Sequence, residues 1–257
     1  MPASAAVSVL PSPASSVRPS WLLTVLESRA PFELMGSLAL GGVLGMDNRG
    51  DGHTVLVLPG FGANDSFSIP LRAHLKARGF EAIGWGEGFN TGWSVEILER
   101  LVLKVRSLHA SSSQKVSLVG WSLGGLYARS LAHRMPEEVR SLITLGSPFA
   151  GDPRASVVWP IYERVNAATI DQVDKQLLEL IRTSPPVPTT AIISRSDGVV
   201  DWHGTAEVKG PQSETIEVLG SHVGLIANPA VLFAVSERLA QPEGAWQPFV
   251  RSGGLRR

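Results

Sequence analysis

Ser122, Asp197 and His222 are the side-chain types from which a covalent acyl-transfer apparatus is assembled, and they occur in that order along the chain. A serine hydroxyl at its free pKa is a poor nucleophile. It needs an imidazole within hydrogen-bond reach to take its proton, and the imidazole needs a carboxylate to fix its tautomer and stabilise its charged form. Ser122 is the centre of Gly120-Trp121-Ser122-Leu123-Gly124, a G-x-S-x-G pentapeptide directly after the apolar run 116–119. A serine on a tight strand-to-helix turn is held in a strained conformation with its hydroxyl pushed out of the sheet edge, and the two glycines remove Cβ atoms that would collide there. Residues 123–135, with Leu126, Tyr127, Ser130, Leu131 and His133 among small residues, read as the helix that must follow.

The partners come later in the chain. Asp197 lies just past the strand-like run 189–194, and His222 just past the run 214–219. In a parallel sheet, loops beyond the carboxyl ends of the strands gather on one edge, so residues far apart in sequence converge. Asp201 is a rival carboxylate in the same loop; Asp197 is favoured because it follows the strand at once and precedes the turn residue Gly198. His203 follows a strand less directly than His222. His53, His74, His109 and His133 fall at a strand start or on helices and read as surface or structural residues. Acyl transfer also needs hydrogen-bond donors for the negative charge that develops on the carbonyl oxygen. The backbone N–H of Leu123 is one candidate. The N–H of Phe61, in Pro59-Gly60-Phe61-Gly62, is the other.

The elements that must position these residues follow from the patterning. Residues 21–45 look mostly helical, reset at Pro31, and 49–52 form a turn. The run Val55-Leu56-Val57-Leu58 within 53–59 is too continuous for a sheet with one wet face, so it reads as a buried strand. Asp65 to Ser68 supply caps for a helix over 69–78, and 81–85 is a short strand. After the glycine-rich loop 84–92, residues 93–109 carry a helical stripe at Ile97, Leu98, Leu101, Val102, Val105 and Leu108, closed by the serines at 111–113. A strand over 139–145 follows. The rhythm breaks over 149–187, where a helix is expected at 170–183 between proline clusters, before the strands 189–194 and 214–219 and a final helix at 229–239. Buried strands alternating with helical stripes predict a mostly parallel central sheet covered by helices on both faces.

Composition narrows the chemistry. Lysine plus arginine and aspartate plus glutamate both number 23, so no net field draws polyanions, and no nucleic-acid partner is expected. With no cysteine there is no thiolate nucleophile, no thiolate metal ligand and no disulfide. No metal or organic cofactor is implied, because a base within the protein generates the nucleophile. Residues 1–20 lack the basic n-region and long apolar h-region of a secretory signal and read as a mobile tail, with 21–257 as one domain and a cytoplasmic address favoured. The apolar stretch 35–46 is interrupted by four glycines and too short to span a bilayer; packing on the domain is favoured over shallow contact with lipid.

Taken together, these motifs resemble the α/β-hydrolase superfamily, within it the bacterial lipase and carboxylesterase branch. The likeness is carried by the G-x-S-x-G pentapeptide, Leu145-Gly146-Ser147-Pro148-Phe149-Ala150-Gly151, the Ser194 to Val200 segment and Ser221-His222-Val223-Gly224, and it spans roughly residues 53–240. One departure is Pro59, where many relatives have histidine before the oxyanion-loop glycine; the nominated donor lies two residues on. The resemblance implies an α/β-hydrolase fold with a small cap over about 149–187, in which Val157, Val158, Trp159, Ile161 and Tyr162 could line an acyl pocket. Substrate contacts are expected at Trp121, Trp159, Tyr162 and Val223. It further implies hydrolysis of small-molecule or lipid esters through an acyl-enzyme on Ser122. Transfer to an alcohol or amine, or cleavage of amides or thioesters, stays open because the apparatus is shared, as does a non-catalytic protein holding an apolar ligand in the cleft.

Overall fold

The computed structural model describes residues 17–40, 49–167 and 175–250. Six strands, β1 (Thr54–Leu58), β2 (Glu81–Gly84), β3 (Val116–Trp121), β4 (Val139–Leu145), β5 (Thr189–Ile193) and β6 (Ser213–Glu217), form one sheet in the order β2-β1-β3-β4-β5-β6. Every neighbouring pair is parallel, with Leu56 opposite Leu118 and Leu118 opposite Leu142 through the centre. The chain runs outward from β1 to one edge at β2, returns through β3 next to β1, and then steps outward to the other edge. Consequently the ends of β3, β5 and β6 lie along one rim.

Alternation along β1 shows how the layers form. Val55 and Val57 join one apolar cluster with Leu71, Leu75, Val231 and Val235; Leu56 and Leu58 join the other with Leu101, Val105, Tyr127 and Leu131. The first cluster lies under α3 (Ile69–Ala77) and α8 (Pro229–Leu239), the second under α4 (Val95–Ser112) and α5 (Leu123–Arg134). Each fully buried valine or leucine adds roughly 1.5–3 kcal/mol relative to leaving it in water, which is why both faces of the strands are apolar. The helix α4 begins where the Ser94 side chain accepts from the Ile97 N–H. It runs past the expected end at 109, because the hydroxyls of Ser111 and Ser112 bond back to the Leu108 carbonyl and continue the turn rather than break it.

The N-terminal segment is α1 (Trp21–Leu26), a single 3₁₀ turn at Glu27–Arg29, and α2 (Ala30–Leu40). Residues 17–20, expected as part of a tail, are held. The Val17 N–H donates to Asp201 Oδ2 at 3.3 Å, and Ser20 caps α1. The remainder of that tail and residues 41–46 of the apolar stretch lie outside the described residues, as do the first positions of the helix expected at 170–183. Between β4 and β5 the chain forms α6 (Trp159–Val165), which the sequence reading did not anticipate, and α7 (Lys175–Arg182). No described helix is long and apolar enough to cross a membrane.

Candidate active site

Ser122 is the hinge between β3 and α5. Its φ of 53° and ψ of −122° put it in a region that L-residues rarely occupy. The neighbouring glycines explain how this strain is housed. A Cβ on Gly120 would collide with the Gly125 backbone, and one on Gly124 would collide with the carbonyl of Leu58. Backbone therefore packs directly on backbone at the elbow, and the Ser122 N–H is anchored to the Leu145 carbonyl at 2.9 Å. The Ser122 hydroxyl makes no hydrogen bond among the described residues and lines a cavity of about 460 Å³.

Two backbone N–H groups of residues lining that cavity are without a partner among the described residues. They belong to Leu123, at the first position of α5, and to Phe61. The turn that carries Phe61 is set by Asn90, which sequence reading placed only within the glycine-rich loop 84–92. Its Nδ2 donates to the Pro59 carbonyl at 2.7 Å, its carbonyl accepts from the Gly62 N–H at 2.7 Å, and its N–H donates to the Ala63 carbonyl at 2.8 Å. Fully buried, Asn90 closes the loop from both sides.

Asp197 and His222 meet at the same rim. His222 Nδ1 lies 2.6 Å from Asp197 Oδ2, and both side chains are nearly inaccessible. The other oxygen, Oδ1, accepts from the N–H groups of Val199 and Val200, each at 2.8 Å, so the carboxylate is oriented by its own loop. Asp201 does something different. It caps the 3₁₀ turn at Trp202–Thr205 and pairs with the exposed His203 at 2.7 Å. Burial opposes a charged imidazole at His222, but the Asp197 charge and hydrogen bond outweigh it, Glu27 adds to them, and the His222 pKa is held above its ordinary value.

The cavity walls are mainly apolar: Leu126, Val158, Trp159, Tyr162, Leu178 and Ile181 contribute, with Asp152, Arg154 and Arg182 among the polar lining. Arg129 fixes the end of α7 over α5. Its buried guanidinium donates to the carbonyls of Ile181 and Thr183, each at 2.6 Å, and pairs with Glu207 at 2.5 Å. Tyr162 and Asn166 tie α6 to the loop after β2: the Tyr162 hydroxyl accepts from the Trp93 N–H at 3.2 Å, and Asn166 Nδ2 donates to the Thr91 carbonyl at 2.9 Å.

Trp159 and Tyr162 thus lie where substrate contact was expected, whereas Trp121 and Val223 do not. Trp121 packs into the apolar cluster under α3 and α8; its indole is buried beside Phe67, and Nε1 donates to the His222 carbonyl at 3.1 Å. Val223 is exposed, and its N–H is bound to Glu27. Val157 and Ile161 are also absent from the cavity, the first bonded through its N–H to the Val199 carbonyl and the second exposed to solvent. Sequence reading missed Glu27, Glu33 and Arg29 altogether. All three reach the loops of Asp197 and His222 from the N-terminal segment. Their only sequence signal is that charged residues interrupt an otherwise apolar helical stretch. Among the described residues no group of three His, Cys, Asp or Glu side chains is placed to hold a metal ion.

Known proteins share parts of this arrangement. The family model for palmitoyl protein thioesterase matches residues 74–190, which include the elbow but neither Asp197 nor His222. A pimeloyl-[acyl-carrier protein] methyl ester esterase of Shewanella woodyi is 30% identical over 125 residues, covering 46% of this chain and 44% of that protein. The chain therefore spans less than half the length of this curated relative. Among solved structures, the monoacylglycerol lipase of Paleococcus ferrophilus superposes with a TM-score of 0.54 at 16% identity, covering 75% of this chain and 96% of that one. An α/β-hydrolase enzyme from a lagoon-sediment metagenome of Mar Chica, Morocco, gives 0.50 at 17% identity, covering 73% and 90%. The parallel sheet, the strained serine after its third strand and these likenesses show that the chain has the α/β-hydrolase fold.

Proposed function

We propose that this chain hydrolyses carboxylic esters through an acyl-enzyme on Ser122. The observation that carries the reading is the strained Ser122 at the cavity wall, on the same rim as the 2.6 Å His222–Asp197 pair. Ser122 Oγ attacks the substrate carbonyl carbon while His222 Nε2 takes the hydroxyl proton. The carbonyl oxygen becomes an oxyanion that the N–H groups of Phe61 and Leu123 hold, and Asp197 stabilises the imidazolium through Nδ1. Collapse breaks the bond to the leaving alcohol, to which His222 returns the proton. Water then attacks the acyl-enzyme by the same steps and releases the acid.

The esterase relative supports an ester as substrate, and the mainly apolar wall of Leu126, Trp159, Leu178 and Ile181 supports an acyl chain in the cavity. A thioester is the second reading, favoured by the thioesterase family model over 74–190; only the leaving atom changes, from oxygen to sulfur. The test is a panel of aryl esters and matched thioesters of increasing acyl length, with Ser122→Ala as control. Turnover by the wild type and none by the control is the expected result. A Ser122→Ala protein that keeps wild-type turnover would remove Ser122 from the chemistry.

A further inference from the structure

The loops of Asp197 and His222 are joined by a third carboxylate. Glu27 lies in the single 3₁₀ turn between α1 and α2. Its Oε1 accepts from the N–H of Gly198 at 2.8 Å and from the N–H of His222 at 2.8 Å, while Oε2 accepts from the N–H of Val223 at 3.0 Å. One side chain thus grips the peptide after the acid and the peptide of the base itself. Both oxygens are acceptors only, the hydrogen-bonding pattern of an ionised carboxylate.

The rest of the segment reinforces the grip. Glu33 accepts from the Ser221 N–H at 2.8 Å and pairs with Arg29 at 3.1 Å, and Arg29 donates to the Ser196 carbonyl at 3.0 Å and hydroxyl at 2.7 Å. Thr24 Oγ1 donates to the Gly198 carbonyl at 2.9 Å. Each catalytic loop also carries a glycine where the segment lies against it. A Cβ on Gly198 would run into the Leu23 carbonyl, and a Cβ on Gly224 into the Glu33 carboxylate. The loops are shaped to receive this segment at close range.

We propose that Glu27 is a positioning residue of the reaction: it locks the Asp197 and His222 loops in one register and places a second negative charge behind the imidazolium formed when Ser122 attacks. The inference rests on the serine, histidine and aspartate roles proposed above. The charged groups facing His222 are Asp197 from the β5 loop and Glu27 from the N-terminal segment, with Glu33 and Arg29 paired to each other beyond Ser221.

The experiment compares Glu27→Gln with the wild type in the full chain, using a short-chain aryl ester, active-site labelling with a fluorophosphonate, and thermal melting. Glu27→Gln keeps the shape but removes the charge and presents an amide donor to one of the three N–H groups. The expected result is kcat lower by about tenfold with KM little changed, slower labelling, and an acid limb of the pH–kcat/KM profile moved to lower pH. The midpoint of that limb does not depend on how much protein is folded, so a purely structural role would lower Tm and total activity while leaving it in place. An unmoved midpoint, or wild-type kcat, overturns the proposal. Should Glu27→Gln give no folded protein, Glu27→Asp, which keeps the charge and withdraws it by one methylene, is read in the same way: kcat falls and KM holds, or the proposal fails. A wild type that neither labels nor turns over esters overturns the serine-hydrolase reading and the Glu27 role together, whereas an active wild type with an indifferent Glu27→Gln overturns only the latter.

Discussion

Two Ser, His and Asp constellations sit at opposite ends of the same sheet. At one end are Ser122, His222 and Asp197. At the other, His53 Nδ1 lies 2.5 Å from Asp51 Oδ1, and its Nε2 lies 2.9 Å from the hydroxyl of Ser117, near the start of β3. Judged by residue type and hydrogen bonding, the second set is the better connected. Its surroundings make it structural. Ser117 is fully buried within β3 and shares a second hydrogen bond with Ser141 at 3.0 Å, while His53 packs edge-on against Phe80. An opening of about 30 Å³, walled in part by Arg140 and Ser141, is lined by neither Ser117 nor His53.

The two imidazoles also titrate in opposite directions. Burial pulls the His53 pKa down, and its bond to Asp51 is offset by the Arg140 guanidinium, which pairs with that same carboxylate at 2.7 Å. At His222 burial acts alike, yet Asp197 has no cation beside it in the ion-pair network described, and Glu27 adds a further negative charge, so the pKa goes up. What sets the Ser122 group apart is an open cavity, an L-residue in a strained turn, N–H groups without a partner among the described residues and a carboxylate with no cation beside it. Three side chains in contact are not enough.

The contrast can be broken most sharply with paired substitutions. Ser122→Ala should lower kcat by roughly 10⁴ to 10⁶ and abolish fluorophosphonate labelling, while Ser117→Ala should leave ester turnover intact. Its cost appears in stability instead, about 1–3 kcal/mol for the unpaired His53 nitrogen left behind, read by denaturant melts. Equal loss of turnover in both would void the distinction. Asp197→Asn should reduce kcat by roughly 10⁴, as expected when the tautomer of the base is no longer fixed; Asp51→Asn and Asp201→Asn should cost far less, and a reversed ranking would reassign the carboxylate.

The acid limb of kcat/KM should be centred above 6.5, because the base works only when neutral and its pKa is raised from that ordinary value. A limb at or below that value contradicts the electrostatics of the His222 site. The smallest effect concerns stability. A histidine whose pKa is depressed in the fold stabilises it above its unfolded value of 6.5, and that stability is lost as pH falls. His53, His74 and His133 are all of this kind, whereas His222 acts oppositely and loses its contribution as pH rises through its raised pKa. The Tm should therefore decline on acidification below 6.5, with a shallower decline in His53→Gln; parallel slopes for the two proteins would assign that sensitivity elsewhere.

The sheet was legible because short, continuous apolar runs have few other places to go. β1, with all five residues buried, corresponds to the run read as a doubly covered strand, and the G-x-S-x-G turn announced the elbow because only glycine fits where backbone meets backbone. Less legible were features that depend on where a side chain points after a turn. Trp121 is adjacent to Ser122 in sequence but packs into the core rather than lining the cavity, and Val223 follows His222 yet turns to solvent. Asn90 looked like one more residue of a glycine-rich loop until its three hydrogen bonds closed the turn around Phe61.

By itself the sequence determined the layered parallel architecture, the position of the strained serine and the order of the groups that follow it, since these arise from local periodicity and from steric rules within a few residues. Tertiary structure alone decided that Asp197 rather than Asp201 faces His222, that Ser117 and His53 are sealed in, and that Glu27, about 170 residues from Gly198 and more from His222, reaches both loops. Such contacts are made between segments distant along the chain, and their energies depend on burial and on neighbouring charge, quantities that do not exist until the chain has folded.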